Sequence, residues 1–102
     1  MALAKATLGT SITDVYTSTN DSATTSIFFT NDNATARTID VHLVAQSTSA
    51  DATNRIIKEL SINGKDTYIL SAEKIVLSNG DKIQALCSHA TSVYATVSYV
   101  GI

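Results

Sequence analysis

The sequence predicts an all-β fold, an antiparallel β-sandwich of jelly-roll-like form, built as a single domain of about eight strands. Three observations carry that prediction. Apolar and polar residues alternate through Leu60–Ile102 and again through Ala36–Gln46, the period-two signature of half-buried strands. Helical periodicity over a useful length is absent. Turn chemistry separates the runs at Asn31-Asp32-Asn33, Asn63-Gly64 and Asn79-Gly80-Asp81, where glycine and short polar side chains permit the reversals that join antiparallel neighbours.

The first strand is Ala4–Leu8, broken at Gly9, and residues 1–9 form a candidate N-terminal arm. Ser11–Thr17 follows, then a polar loop at Ser18–Ser22. In Ala23–Thr30, Thr25, Ile27 and Phe29 share one face and Phe28 points the other way. Two apolar faces mean a central strand, or a strand with one face covered by a partner. Ala36–Gln46 is the cleanest strand of the first half, with Ile39, Val41, Leu43 and Ala45 inward and Thr38, Asp40 and His42 outward.

Ser47–Asn54 is a long polar loop, expected to project outward, where loops meet partners. Arg55–Ile62 alternates imperfectly, as a bulged strand or a single helical turn would, and its length favours the strand. Thr67–Ser71 and Lys74–Ser78 are either one bent strand or two. In Asp81–His89, Ile83, Ala85 and Cys87 face inward and Lys82, Gln84 and Ser88 outward, with Leu86 the exception. Ser92–Ile102 closes the chain, with Val93, Ala95, Val97 and Tyr99 opposite Tyr94, Thr96, Ser98 and Val100.

A chain of 102 residues forms one domain. On folding, a chain of this size buries roughly 65% of the surface it exposes when unfolded, enough for a core without staples. Its net charge is -2 and charged residues make up 16% of it, so the exterior falls largely to fifteen threonines, twelve serines, asparagine and alanine. The seven cations are scattered singly and the surface is weakly charged, which argues against nucleic-acid phosphate as the main ligand. Cys87 is the only cysteine and its place in the Ile83/Ala85/Cys87 stripe makes it a small buried hydrophobe. No run approaches the length of a membrane span, and the N-terminus lacks the apolar core of a signal peptide. The expectation is a protein made in a cytoplasm, leaving it only within a larger assembly.

Catalytic constellations are missing from the pattern. The two histidines, His42 and His89, lie in different strands, and Asp40 beside His42 reads as ordinary polarity on a strand face rather than an orienting pair. One cysteine cannot seed a zinc site, and the four glycines stand too far apart to cradle a phosphate. Asn31-Asp32-Asn33 and Asn20-Asp21 offer oxygen ligands, but turn formation explains them without calcium. Asn20-Asp21-Ser22 and Asn33-Ala34-Thr35 match the glycosylation pattern and read the same way, as turns. Tyr16, Tyr68, Tyr94 and Tyr99 would bind sugar only if they clustered on one exposed face; each reads as packing instead. Neither a catalytic residue, a metal ligand nor a cofactor is therefore expected.

Several segments resemble the small β-structured virion proteins of tailed bacteriophages, over nearly the full length of the chain. The opening, Thr7-Leu8-Gly9-Thr10 followed by Asp14-Val15-Tyr16-Thr17, is similar to the start of that family. Ser26-Ile27-Phe28-Phe29-Thr30-Asn31 and Ala36-Arg37-Thr38-Ile39-Asp40-Val41-His42-Leu43-Val44 look like its pair of strands around an Asn-rich turn. Ile75 to Ala85 looks like its Leu-x-x-Gly-Asp-x-Ile-x-Ala turn, and Tyr94 to Val100 like its final strand. The chain departs from the family at Thr17–Asp21, where relatives carry a Pro-Ala-Gly turn and this sequence has Ser18-Thr19-Asn20.

The resemblance implies a non-enzymatic structural subunit of a virion assembled in the host cytoplasm, foremost a head decoration or cement protein. Neck or tail placement, or a carbohydrate-binding host-recognition module, are the alternatives. Its partners would be the major capsid protein or neck and tail subunits, with a homo-oligomer within the particle and neither nucleic acid nor membrane involved. Strand edges and the N-terminal arm are natural docking elements, because unpaired backbone groups accept another strand. The expected contact residues are Leu3 and Leu8 on an arm that reaches a neighbour, Phe28 and Val44 on faces needing cover, and Tyr94.

Overall fold

Residues 2–71 and 74–102 are described in the computed structural model, and within them the regular secondary structure is entirely β. Nine strands form: β1 (Ala2–Thr7), β2 (Thr13–Thr17), β3 (Ser22–Asn31), β4 (Arg37–Val44), β5 (Arg55–Ile62), β6 (Thr67–Leu70), β7 (Val76–Leu77), β8 (Lys82–Cys87) and β9 (Val93–Gly101). One sheet has the order β1-β9-β3-β6, with the two-residue β7 pairing beside β3, and the other has the order β2-β8-β4-β5. All pairings are antiparallel. With β7 set aside, first pairs with last, second with second-last, and so inward to β4 and β5. That nested ribbon, folded over into two facing sheets, is a jelly roll. Thr67–Ser71 and Lys74–Ser78 resolve into the separate strands β6 and β7; Ala72 and Glu73, between them, lie outside the described residues, as does Met1.

The core lies between the sheets and follows the alternation. Ile27 and Phe29 of β3 and Val93, Ala95 and Val97 of β9 meet Ile39 and Val41 of β4 and Ile83, Ala85 and Cys87 of β8 in one buried cluster. Each large side chain so buried stabilises the fold by about 1.5–3 kcal/mol relative to exposure. Cys87 is a free thiol inside this cluster. Tyr16 and Tyr99 stack at 4.3 Å between centroids, and the Tyr16 hydroxyl donates to Ser22 Oγ at 2.9 Å. Among the described residues, every buried side-chain nitrogen and oxygen has a hydrogen-bond partner.

Local geometry corrects the alternation at several points. A bulge between Thr24 and Ser26 shifts the register of β3 on β9. Ser22 and Thr24 therefore turn inward together with Ile27, Phe29 and Asn31, and Thr25 does not share their face. Ser22, expected in a loop, starts β3 and is buried. β4 ends at Val44, so Ala45, expected inward, is exposed beyond it. Arg55–Ile62 is the bulged strand, β5, with register shifts against β4 and a positive φ of 51° at Glu59. The amide of Glu59 donates to Asp40 Oδ1 at 2.8 Å, which holds the bulge closed.

The turns use their residues for different reasons. Gly80 has φ of +87°, the left-handed conformation that favours glycine, between Ser78 and Asp81. At Asn63-Gly64 the positive φ belongs instead to Lys65, at 61°. Gly64 is needed because the Ala34 carbonyl sits where a Cβ would be. Asn31 is wholly buried and donates to the carbonyls of Thr35 and Ile62, both at 3.0 Å, while its Oδ1 accepts the Asn33 amide at 2.9 Å. Its side-chain oxygen and nitrogen are thus engaged in building a turn, as the sequence reading has it.

Candidate functional site

The two outward faces of the sandwich differ in chemistry, and that difference locates the candidate site. On the face of the β2-β8-β4-β5 sheet, charged and polar side chains pair beside half-buried Leu86 and exposed Ile56. Gln84 Nε2 donates to Asp14 Oδ1 at 2.6 Å, and Arg55 Nη1 lies 3.8 Å from Asp40 Oδ2. Asp40 and His42 share this face without pairing, because Asp40 holds the β5 bulge and His42 bonds to Asn54 at 2.8 Å. A triad-like role for the two is not built here.

Residues 47–54 do not project from this sheet, as the sequence reading expects, but turn back onto it. Asn54 organises the turn: its Oδ1 accepts the Asp51 amide at 3.1 Å and the His42 ring, its Nδ2 donates to the Ser49 carbonyl at 2.9 Å, and its own carbonyl accepts the Leu43 amide at 3.0 Å. Thr48–Ala50 consequently line a cleft with Ile12, Lys82 and Gln84. His42 is buried to 4% exposure on what alternation makes an outward position. Within the loop the Asp51 carboxylate accepts the hydroxyl and amide of Thr53 and stays below its usual range, with the Thr53 hydroxyl the largest cause.

The face of the β1-β9-β3-β6 sheet is different. Register places three cross-strand rows on it: Leu3 and Ser98 with Ser26; Lys5, Thr96, Phe28 and Ile69; Thr7, Tyr94, Thr30 and Thr67. Val76, opposite Ala23, extends the face toward β7. Directly opposite residues have Cβ atoms about 5 Å apart, so the rows form a continuous surface. Lys5 carries the only charge in these rows. Leu3 is 62% exposed, Ile69 51% and Tyr94 39%, and Phe28 is half-buried between its neighbours.

Of the expected contact residues, Leu3, Phe28 and Tyr94 thus come together on one face of one sheet. Leu8 and Val44 do not join them. Leu8 is 1% exposed in the core, where its amide donates to the Val93 carbonyl at 3.0 Å. Val44 is 2% exposed and belongs to the opposite sheet. Neither can present its side chain to a neighbour without rearrangement. The segment 1–9 is described from Ala2 onward, and Ala2–Thr7 pairs along β9 of its own chain as the edge strand of its sheet.

Sequence reading missed Ile69 and Val76, which complete the same face. Their signal was present: each is an apolar residue at the outward position of a short strand. The four tyrosines do not make a sugar platform, because Tyr16 and Tyr99 stack together inside, Tyr68 packs against the core, and Tyr94 alone stands on the exposed face. No group of three or more His, Cys, Asp or Glu with metal-binding geometry occurs among the described residues. Comparison of the chain with protein-family models, with curated proteins and with solved structures finds no match.

Proposed function

We propose that this chain is a non-enzymatic structural subunit of a tailed-phage virion, foremost a capsid decoration or cement protein that docks onto other virion proteins. The observation that carries the proposal is the contrast between the β2-β8-β4-β5 face, where Asp14, Asp40, Arg55 and Lys82 gather, and a nearly uncharged face bearing Leu3, Phe28, Ile69, Val76 and Tyr94. Apolar side chains set among threonine and serine on a nearly uncharged sheet face make a contact surface. The jelly-roll topology is compatible with this reading, since viral capsid domains use it, as do lectins; by itself it assigns no function. Segments such as Ser26–Asn31 and Ile75–Ala85, which resemble phage virion proteins, favour the first use over the second. Neck or tail placement fits the same surface.

The test is to add the purified chain to capsids lacking it and image the product by cryo-electron microscopy. Regular density on the head, with the β1-β9-β3-β6 face toward the shell, is the expected outcome. A bare head with density at the neck or tail moves the assignment there. Saturable binding in a glycan screen, with no density on the particle, replaces the proposal by host-surface recognition.

A further inference from the structure

A jelly roll leaves four strand edges open, and the structure guards them unequally. In the β2-β8-β4-β5 sheet, β2 carries a bulge between Asp14 and Tyr16, and β5 carries register shifts together with Arg55, Lys58 and Glu59. The far side of the other sheet is divided between four-residue β6 and two-residue β7. Bulges, charge and shortness are the devices by which natural sheets prevent edge-to-edge pairing. β1 has none of the first or third: six consecutive residues pair with β9 in unbroken register, and among the described residues the opposite edge has no strand partner, though β2 of the facing sheet packs close to β1. The chain has no proline with which to block it. Lys5 is its single charge.

We propose that β1 pairs antiparallel with β1 of a second copy of this chain, joining two five-stranded sheets across a two-fold axis. The side chains choose the register. Outward residues must meet outward residues, because a one-residue slip sends each side chain to the wrong face. A pair centred on Lys5 opposes two like charges, which is unfavourable. A pair centred on Ala4 sets Leu3 against Lys5 of the second copy, twice by symmetry, so that each exposed leucine covers the aliphatic stem of a lysine whose ammonium stays in water. The same register brings Ala2 opposite Ala6 of the second copy on the inward side, without bulk to clash. The two faces, each charged only at Lys5 in its rows, then lie side by side on one continuous sheet.

A single strand edge is a small interface, so the equilibrium is weak and is sought from micromolar to millimolar chain. The experiment combines sedimentation equilibrium with hydrogen exchange on the intact protein over that range. The expected result is a reversible dimer, with amides in Leu3–Thr7 gaining protection as concentration rises. Leu3→Lys, at an exposed site, should retain the wild-type circular dichroism and weaken the dimer about tenfold or more, since it opposes lysines at both symmetry-related contacts. Adding Lys5→Glu to it should restore the dimer. A monomer throughout overturns the proposal, as does a dimer whose β1 exchange is unchanged or which ignores both variants. So does a dimer that fails to dissociate on dilution, the mark of exchanged strands. The proposal stands apart from the virion reading: failure to bind capsids leaves it intact, and failure to dimerise leaves capsid docking intact.

Discussion

Asn54 Oδ1 and His42 Nδ1 lie 2.8 Å apart and tie the loop of residues 47–54 to the outer face of β4. Because the same oxygen accepts the Asp51 amide, the imidazole must donate, which fixes its proton on Nδ1. The bond turns a polar, featureless-looking segment into a lid over a buried histidine.

Asn54→Ala removes that lid's anchor and leaves the buried His42 ring nitrogen unpaired. The expected cost is about 1–3 kcal/mol, the penalty for an orphaned buried polar group. Urea unfolding should show the shift in midpoint with little change in slope, and limited proteolysis should cut faster within residues 47–53.

Acid should loosen the same loop. The Asp51 carboxylate has its pKa lowered, chiefly by the Thr53 hydroxyl, then by the Thr53 amide. A depressed folded-state pKa contributes stability that is fully present above the ordinary carboxylate value and is lost as pH falls through the folded value. Amide exchange at Thr53, corrected for intrinsic rate, should therefore be flat from neutral pH down to the ordinary carboxylate range and rise below it. Asp51→Asn should abolish that pH dependence.

The strands were legible because their period is simple, and the loop was not because its order comes from distant partners. Ile83, Ala85, Cys87, Val93, Ala95 and Val97 sit where alternation puts them, all buried. Thr25 fails the same rule because a bulge, set by how β3 and β9 fit, inserts one residue without any mark in the local pattern. His42 and Val44 occupy outward positions yet are buried, and nothing within Ser47–Asn54 announces that Asn54 will reach back to β4. Leu8 belongs to the core and not to an arm because its burial depends on backbone pairing with the distant Val93 and Thr91. Long-range pairing decided each of these cases.

Gly64 and Gly101 separate two meanings of glycine. A methyl group at Gly64 would meet the Ala34 carbonyl, whereas at Gly101 nothing lies within 4 Å. Since Gly64 is not in the left-handed region, the cost of Gly64→Ala is steric, about 1–3 kcal/mol as the two turns are forced apart. Gly101→Ala should change stability by less than about 0.5 kcal/mol. Thermal denaturation of the two variants side by side checks the contrast, and equal melting temperatures would refute the close approach.

Phe28 and Phe29 are adjacent, yet they should answer substitution in opposite ways. Phe29 is fully buried, and Phe29→Ala should cost about 3–5 kcal/mol, enough to unfold much of a marginal domain. Phe28 stands on the outer face between Thr96 and Ile69, so Phe28→Asp should cost only about 1 kcal/mol, mostly lost strand preference and cross-strand contact. Its larger effect should appear in docking, because a carboxylate at the centre of the nearly uncharged face must be desolvated when a partner covers it. A folded Phe28→Asp chain that no longer decorates capsids is the expected outcome, read from circular dichroism and particle binding together. An unfolded Phe28→Asp chain would assign the ring to the core, and a folded one that still binds would move the contact surface off this face.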